Sequence, residues 1–149
     1  SIAVSEGMRI EVVDSVFVKR MKKGAKEAQP LDSQVTEQEI NRIEHALDKW
    51  VKEKRYREYD KTREQIAREL NTSKEMLHMF FVTRMNVDFK TWRTRLRIEE
   101  AKNLLLDNPE MSINIVAELS GFSDRSNFHR QFTKIVGCSP KQWRESNGK

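Results

Sequence analysis

Two stretches of the chain, Ser73–Trp92 (SKEMLHMFFVTRMNVDFKTW) and Ser123–Trp143 (SDRSNFHRQFTKIVGCSPKQW), repeat one pattern of residue types. With one residue added in the second copy, core-type and turn-type positions correspond throughout: Ser73 with Ser123, Leu77 with Phe128, His78 with His129, Phe81 with Phe132, Asn86 with Gly137, Phe89 with Pro140 and Trp92 with Trp143. Upstream, Ile66-Ala67 corresponds to Val116-Ala117. A correspondence at both core and turn positions favours a true internal repeat over a chance similarity within a plain helical bundle.

Each copy has the pattern of a short helix, a tight turn of about four residues and a second helix, which is the helix-turn-helix plan. A small alanine at position 67 or 117 allows the two helices to cross closely, and Gly121 accommodates a sharp turn. Helix-start and helix-stop signals continue through the rest of the chain from Val35 onward. They predict helices that begin near the following residues: Thr36, Thr62, Ser73, Asp88, Ser112, Asp124 and Ser139. The sequence therefore predicts an all-α fold of about seven helices with no confident strand there.

The composition restricts the function classes. The chain has 149 residues, 28 Lys+Arg against 23 Asp+Glu, and a formal net charge of +5, which favours polyanionic partners. The single Cys138 excludes an intramolecular disulfide, and no HExxH, GxGxxG or GxxxxGK[ST] motif is present. We expect no catalytic residues, no metal site, no cofactor and no small-molecule site, and therefore not an enzyme.

Four segments are predicted from these signals. Residues 1–34 form an N-terminal extension or linker, in which Met8–Val18 is compatible with a short strand and a basic run follows at Lys19–Lys26. Residues 35–87 form the first helix-turn-helix module, residues 88–108 a linker helix, and residues 109–149 the second module. The basic run is either a solvated linker or an electrostatic contact with DNA or an anionic membrane surface.

Three segments resemble the DNA-binding domain of AraC/XylS-type transcription regulators: RLRIEEAKNLL (95–105), SINIVAELSGFSDRSNFHRQF (112–132) and GCSPKQWR (137–144). The similarity covers roughly residues 36–144 and is strongest in the second module. In the first module, Asn86 stands where the family usually has glycine, and Met79 where a basic residue is common. The resemblance implies two helix-turn-helix units joined by a rigid helix, which place two recognition helices in consecutive major-groove segments of double-stranded DNA. A linker helix of 19 residues is about 28 Å long, close to the ~34 Å between successive major-groove sites.

The face of the second recognition helix left free by its phenylalanines predicts the base contacts. It carries Arg125, Ser126, His129 and Arg130, of which arginine fits guanine O6 and N7. The matching face of the first module carries Lys74, Glu75, His78 and Met79. Phosphate contacts are predicted for Ser73 and Ser123 at helix starts, and for Arg95 and Arg97 on the linker helix. Helix capping by the serines and a structural salt bridge for the arginines are the alternatives.

We therefore predict a cytoplasmic, sequence-specific regulator that binds double-stranded DNA. The resemblance further implies an activator that contacts RNA polymerase. A chain that begins at Ser1 with a basic segment after an apolar stretch also suggests a sensory domain or a membrane anchor upstream. Two other functions remain open: a non-specific architectural DNA binder, which would show salt-dependent binding without base preference, and a helical protein-interaction module, which would not bind DNA.

Overall fold

The computed structural model describes residues 33–148, and the regular structure in this range is entirely helical, as predicted. Seven α-helices follow one another: α1 Ser33–Lys52, α2 Arg63–Glu69, α3 Lys74–Phe80, α4 Phe89–Asp107, α5 Ile113–Ser120, α6 Arg125–Val136 and α7 Pro140–Asn147. A 3₁₀ turn, Arg55–Arg57, lies between α1 and α2, and a π-helical turn, Phe81–Met85, continues α3. The predicted short strand lies outside the described residues. No helix within residues 33–148 is both long and apolar enough to cross a membrane.

Local start and stop signals explain most helix boundaries. Thr62 forms a capping box with Gln65 and Ser139 forms one with Gln142, at two of the helix starts that the sequence predicts. Ser73, Ser112 and Asp124 each accept a backbone N–H of the first turn that follows, which confirms three more predicted helix starts.

The first helix begins earlier than its sequence signal suggests. Thr36 and Glu39 have the spacing of a capping box, but α1 starts at Ser33, three residues earlier, so Thr36 lies inside the helix and does not cap it. The Glu39 carboxylate instead accepts two hydrogen bonds from the Arg42 guanidinium, at 2.6 and 3.1 Å. This charged hydrogen-bonded pair lowers the pKa of Glu39 below its usual value.

The described chain forms two compact units. The first comprises the described residues up to Glu53 together with Lys61–Phe89, and the second comprises Lys54–Asp60 together with the residues from Lys90 onward. The segment Lys54–Asp60 precedes the whole first helix-turn-helix pattern in sequence, and yet it packs with the second unit.

The core of the first unit is built from α1, α3 and the π-helical turn. Fully buried members are Ile43, Leu47, Leu77, Phe80 and Met85. The ring of Phe81 packs edge-on against both Phe80 and Phe89, at centroid distances of 5.3 and 5.4 Å. The π-helical turn was not predicted; in it the N–H of Asn86 donates to the carbonyl of Phe81, and adjacent Phe80 and Phe81 are both buried.

The core of the second unit is formed by one side of α4 with α5 and α6. Its buried members are Ile98, Ala101, Leu105, Val116, Ala117, Phe122, Phe128 and Phe132. Trp143 of α7 packs edge-on against Phe132, with a centroid distance of 6.2 Å. These contacts hold α6 by one face only and leave its opposite face exposed to solvent.

The internal repeat seen in the sequence is also present in the structure. Paired apolar positions are buried in both copies, as for Leu77 with Phe128 and Phe81 with Phe132. The paired turn positions are left-handed in both copies, with φ 55° at Asn86 and φ 100° at Gly137. Each unit therefore contains one copy of the helix-turn-helix pattern.

Candidate nucleic-acid interface

The most exposed predicted recognition surface is the outer face of α6. Phe128 and Phe132 are fully buried, three and seven residues after the start of the helix. Arg125, Ser126 and Arg130 are therefore turned to solvent, as the sequence predicts. A helix that buries one apolar stripe and presents arginine and serine on the other side can be inserted into the major groove, where these side chains meet base edges.

His129 lies at the edge of this surface. Its side chain is half-buried, and its ring packs edge-on against Phe128 at a centroid distance of 5.7 Å. The contact restrains the imidazole, which can donate or accept a hydrogen bond at a base edge. The structure thus brings together all four residues that were predicted for the second module.

Arg130 has a partner that sequence reasoning missed. Its Nη2 donates a hydrogen bond of 3.1 Å to Oδ1 of Asn127, and Nε2 of Gln131 approaches the same oxygen at 3.5 Å. The signal was present in the i, i+3 spacing of Asn127 and Arg130 on one helix.

The first module presents a different surface on α3. Lys74 and Glu75 are exposed, whereas His78 and Met79 are half-buried next to the buried Leu77. The Lys74 ammonium forms an exposed ion pair with Glu64 of α2, at 3.3 Å. This face therefore carries less free positive charge than the face of α6.

The environment of His78 favours its neutral form. Burial lowers the pKa of His78 below 6.5; the nearby Arg63 acts in the same direction, and Asp88 opposes it. Near neutral pH the ring is consequently an uncharged donor and acceptor. Such a ring suits a base edge better than a phosphate group.

The side chains of the two serines predicted at phosphate sites differ in whether they cap a helix. The Ser73 hydroxyl accepts the N–H of Met76 at 3.1 Å and caps α3. Ser123 is exposed, and the N-cap of α6 is the next residue, Asp124, whose carboxylate accepts the N–H of Ser126. Capping therefore accounts for the Ser73 side chain, and phosphate contacts at both helix starts stay predictions.

Arg97 is tied to the main chain of an earlier segment, and its predicted phosphate contact stays a prediction. Its Nε and Nη2 donate to the main-chain carbonyls of Tyr56 and Glu58, at 2.5 and 3.2 Å. Burial lowers the pKa of Arg97 to about 10. The two bonds orient the guanidinium toward the carbonyls of Tyr56 and Glu58. Arg95, the second residue predicted there, is half-exposed on α4, and its phosphate contact stays a prediction.

A buried carboxylate on α4 also holds the segment Lys54–Asp60, which contains Tyr56 and Glu58. Glu100 of α4 is only 4% exposed, and one of its oxygens lies 3.3 Å from the Lys54 ammonium and 3.4 Å from the Arg57 guanidinium. Sequence reasoning did not single out Glu100, because its partners lie more than 40 residues away in the chain. The segment with these cations contacts α5, the first helix of the second helix-turn-helix.

Potential metal ligands and the single cysteine are located in the described residues. Between residues 33 and 148, no three His, Cys, Asp or Glu side chains are grouped so that they could hold a metal ion. Cys138 is a half-buried free thiol that follows Gly137 at the end of α6.

Comparisons with known proteins agree with this geometry. Residues 66–146 match a family model described as a helix-turn-helix domain. The chain is 32% identical over 80 residues to the Msm operon regulatory protein of Streptococcus mutans, covering 54% of this chain and 28% of that protein. It is also 32% identical over 104 residues to the virulence regulon transcriptional activator VirF of Yersinia enterocolitica, covering 70% of this chain and 37% of that protein. The chain thus spans about a third or less of the length of these relatives.

A solved structure is similar in fold over most of the described residues. The C-terminal domain of AraT, a response regulator from Geobacillus stearothermophilus, aligns with a TM-score of 0.65 and 29% sequence identity. The alignment covers 72% of this chain and 87% of that domain.

Proposed function

The chain belongs to the AraC/XylS-type family of helix-turn-helix transcription regulators, and we propose that it recognises a specific sequence in double-stranded DNA. Membership also agrees with the prediction that the chain is not an enzyme, since this family binds DNA and regulates transcription. The single observation that carries the proposal is the exposed face of α6, with Arg125, Ser126 and Arg130 opposite the buried Phe128 and Phe132. Arginine can distinguish guanine by a bidentate contact to O6 and N7.

We also propose that both modules contact DNA, with α3 and α6 in consecutive major-groove segments. The structural equivalence of the two copies supports this, because each unit presents a capped helix with one buried and one open face. The second module is expected to contribute more of the sequence preference. Its face carries two arginines, whereas the first module offers Glu75 and Met79 at positions where a basic residue would be more favourable.

Selection from a randomised duplex pool at near-physiological salt, followed by sequencing, tests the specificity of the whole chain. Enrichment of a bipartite motif with halves about one helical turn apart is the expected result. A single short motif would limit base reading to the second module. Retained binding without enrichment would instead indicate an architectural DNA binder, and no binding at all a protein-interaction module.

Arg130→Ala provides a sharper test on the enriched sequence. We expect a loss of about 1–3 kcal/mol in binding free energy and a relaxed preference at one base pair. The matched control is Lys134→Ala, which removes an exposed cation from the same helix two turns from its start. That variant should weaken binding equally on all sequences. It should also reduce by about one the number of counterions released on binding, which is measured from the dependence of affinity on salt concentration. An equal loss on all sequences for Arg130→Ala would make Arg130 a phosphate contact.

We further propose that the regulator activates transcription through contact with RNA polymerase. One relative is named a transcriptional activator, which supports this direction of regulation. Transcription in vitro with purified polymerase on a template that carries the enriched motif tests it. A rise in transcript that depends on the motif is expected, and a fall would make the protein a repressor.

A further inference from the structure

We infer that Asn127 positions Arg130 for base recognition, so that the orientation of the Arg130 guanidinium on α6 depends on the Asn127 amide. This inference rests on the proposed function, since it requires that Arg130 meets a base. Oδ1 of Asn127 accepts Nη2 of Arg130 at 3.1 Å, and a guanidinium with five N–H donors keeps most of them for another partner. The amide thus selects one orientation of an otherwise flexible exposed side chain.

The physical effect is preorganisation. An exposed arginine loses much rotamer freedom when it binds a base in one bidentate geometry. A hydrogen bond already formed in the free protein reduces this loss, because fewer side-chain conformations remain to be excluded. The bond also fixes the plane of the guanidinium, on which discrimination between base pairs depends.

The internal repeat shows that this pair is present in the second copy alone. Arg130 corresponds to Met79 in the first module, and Asn127 corresponds to Met76. The arginine and its acceptor are thus both absent from the first copy, although the neighbouring histidines, His78 and His129, are the same.

Asn127→Ala tests the inference in a competition assay of the full chain on the enriched duplex and its single base-pair variants. We expect discrimination to fall about five-fold at the base pair read by Arg130, which corresponds to about 1 kcal/mol at 1.4 kcal/mol per tenfold. The other positions should keep their preference. Asn127→Ala combined with Arg130→Ala should lose no more discrimination than Arg130→Ala alone, because the positioning effect has then lost its target.

Asn127→Asp is the conservative variant that separates positioning from a general structural role. It keeps an acceptor at the same place, so discrimination at that base pair should be restored, while the added negative charge weakens binding to every sequence. Gln131→Ala is the matched control, since it removes the longer contact to the same amide oxygen and should leave discrimination intact.

Three results with the Asn127 variants would overturn the inference. They are an equal loss on all sequences for Asn127→Ala, a loss at a base pair that Arg130→Ala does not affect, and additive losses in the double variant. If Arg130→Ala itself leaves base preference unchanged, the pair reads no base and the inference also fails. Failure of the proposed function is distinct, because in that case the unsubstituted chain shows no enrichment.

Discussion

Replacing Gly121 with alanine tests a close approach of two backbone segments in the second unit. Gly121 ends α5 with φ 113°, a conformation that L-residues rarely adopt. A Cβ atom there would lie 2.9 Å from Cα and 3.1 Å from the carbonyl oxygen of Arg57, and 2.7 Å from Nε of Arg97. The substitution therefore combines backbone strain with a collision against main-chain atoms that cannot rotate away.

The expected loss follows from these two contributions. A left-handed conformation costs an L-residue about 1–2 kcal/mol. Overpacking against the Arg57 backbone adds about 1–3 kcal/mol, because the segment must move and weaken the hydrogen bonds that Arg97 donates to it. Alanine reduces the entropy of the unfolded chain, which offsets about 0.4–1 kcal/mol. We expect a net loss of about 3 kcal/mol in the free energy of unfolding.

Gly137→Ala is the matched control for the collision. Gly137 has φ 100° at the end of α6, but a Cβ there would meet no atom within 4 Å. Only the strain remains, so we expect a loss of about 1 kcal/mol. Urea unfolding followed by far-UV circular dichroism measures both variants. Equal losses in the two variants, or a more stable Gly121→Ala protein, would refute the packing of the Arg57 segment against this turn.

Three further predictions concern buried ionisable groups. The lysine of Arg97→Lys cannot donate to two carbonyls in the planar geometry of a guanidinium. We therefore expect the free energy of unfolding, measured in urea, to fall by about 1–3 kcal/mol. An unchanged free energy of unfolding would show that the two hydrogen bonds contribute nothing to stability. Because burial lowers the pKa of His78, the unfolded chain binds the proton first as the pH falls, and stability should decrease below about pH 6.5. His78→Gln should reduce this decrease in unfolding curves recorded at several pH values; an identical pH dependence would contradict the burial argument. Burial raises the pKa of Tyr56 to about 12 from 10.0, so stability should fall as the pH rises above 10, and Tyr56→Phe should remove that part of the alkaline loss.

Sequence signals that act within one helical turn predicted much of the fold. The helix starts at Thr62, Ser73, Ser112 and Ser139 were predicted because a cap involves only residues within one turn. At Thr36 the same kind of signal does not mark the boundary, because the helix begins at Ser33, and Glu39 is paired with Arg42. A helix-start signal predicts a helix boundary only where its side chains do not interact with other residues.

The candidate site was predictable in outline because a buried stripe defines its opposite face. Phe128 and Phe132 in the sequence were enough to place Arg125, Ser126 and Arg130 on the open side of α6. Positioning contacts were harder to foresee.

The amino-acid sequence by itself determined the all-helical class, the two copies of the helix-turn-helix pattern and the exposed face of α6. These features depend on hydrophobic periodicity and on caps, which act over a few residues. Only the tertiary structure decided that Arg97 faces inward, that Glu100 is buried between two cations, and that Gly121 lies against the Arg57 backbone. The residues that meet there are about 40 to 65 positions apart, and no local pattern encodes which of them a folded chain brings into contact.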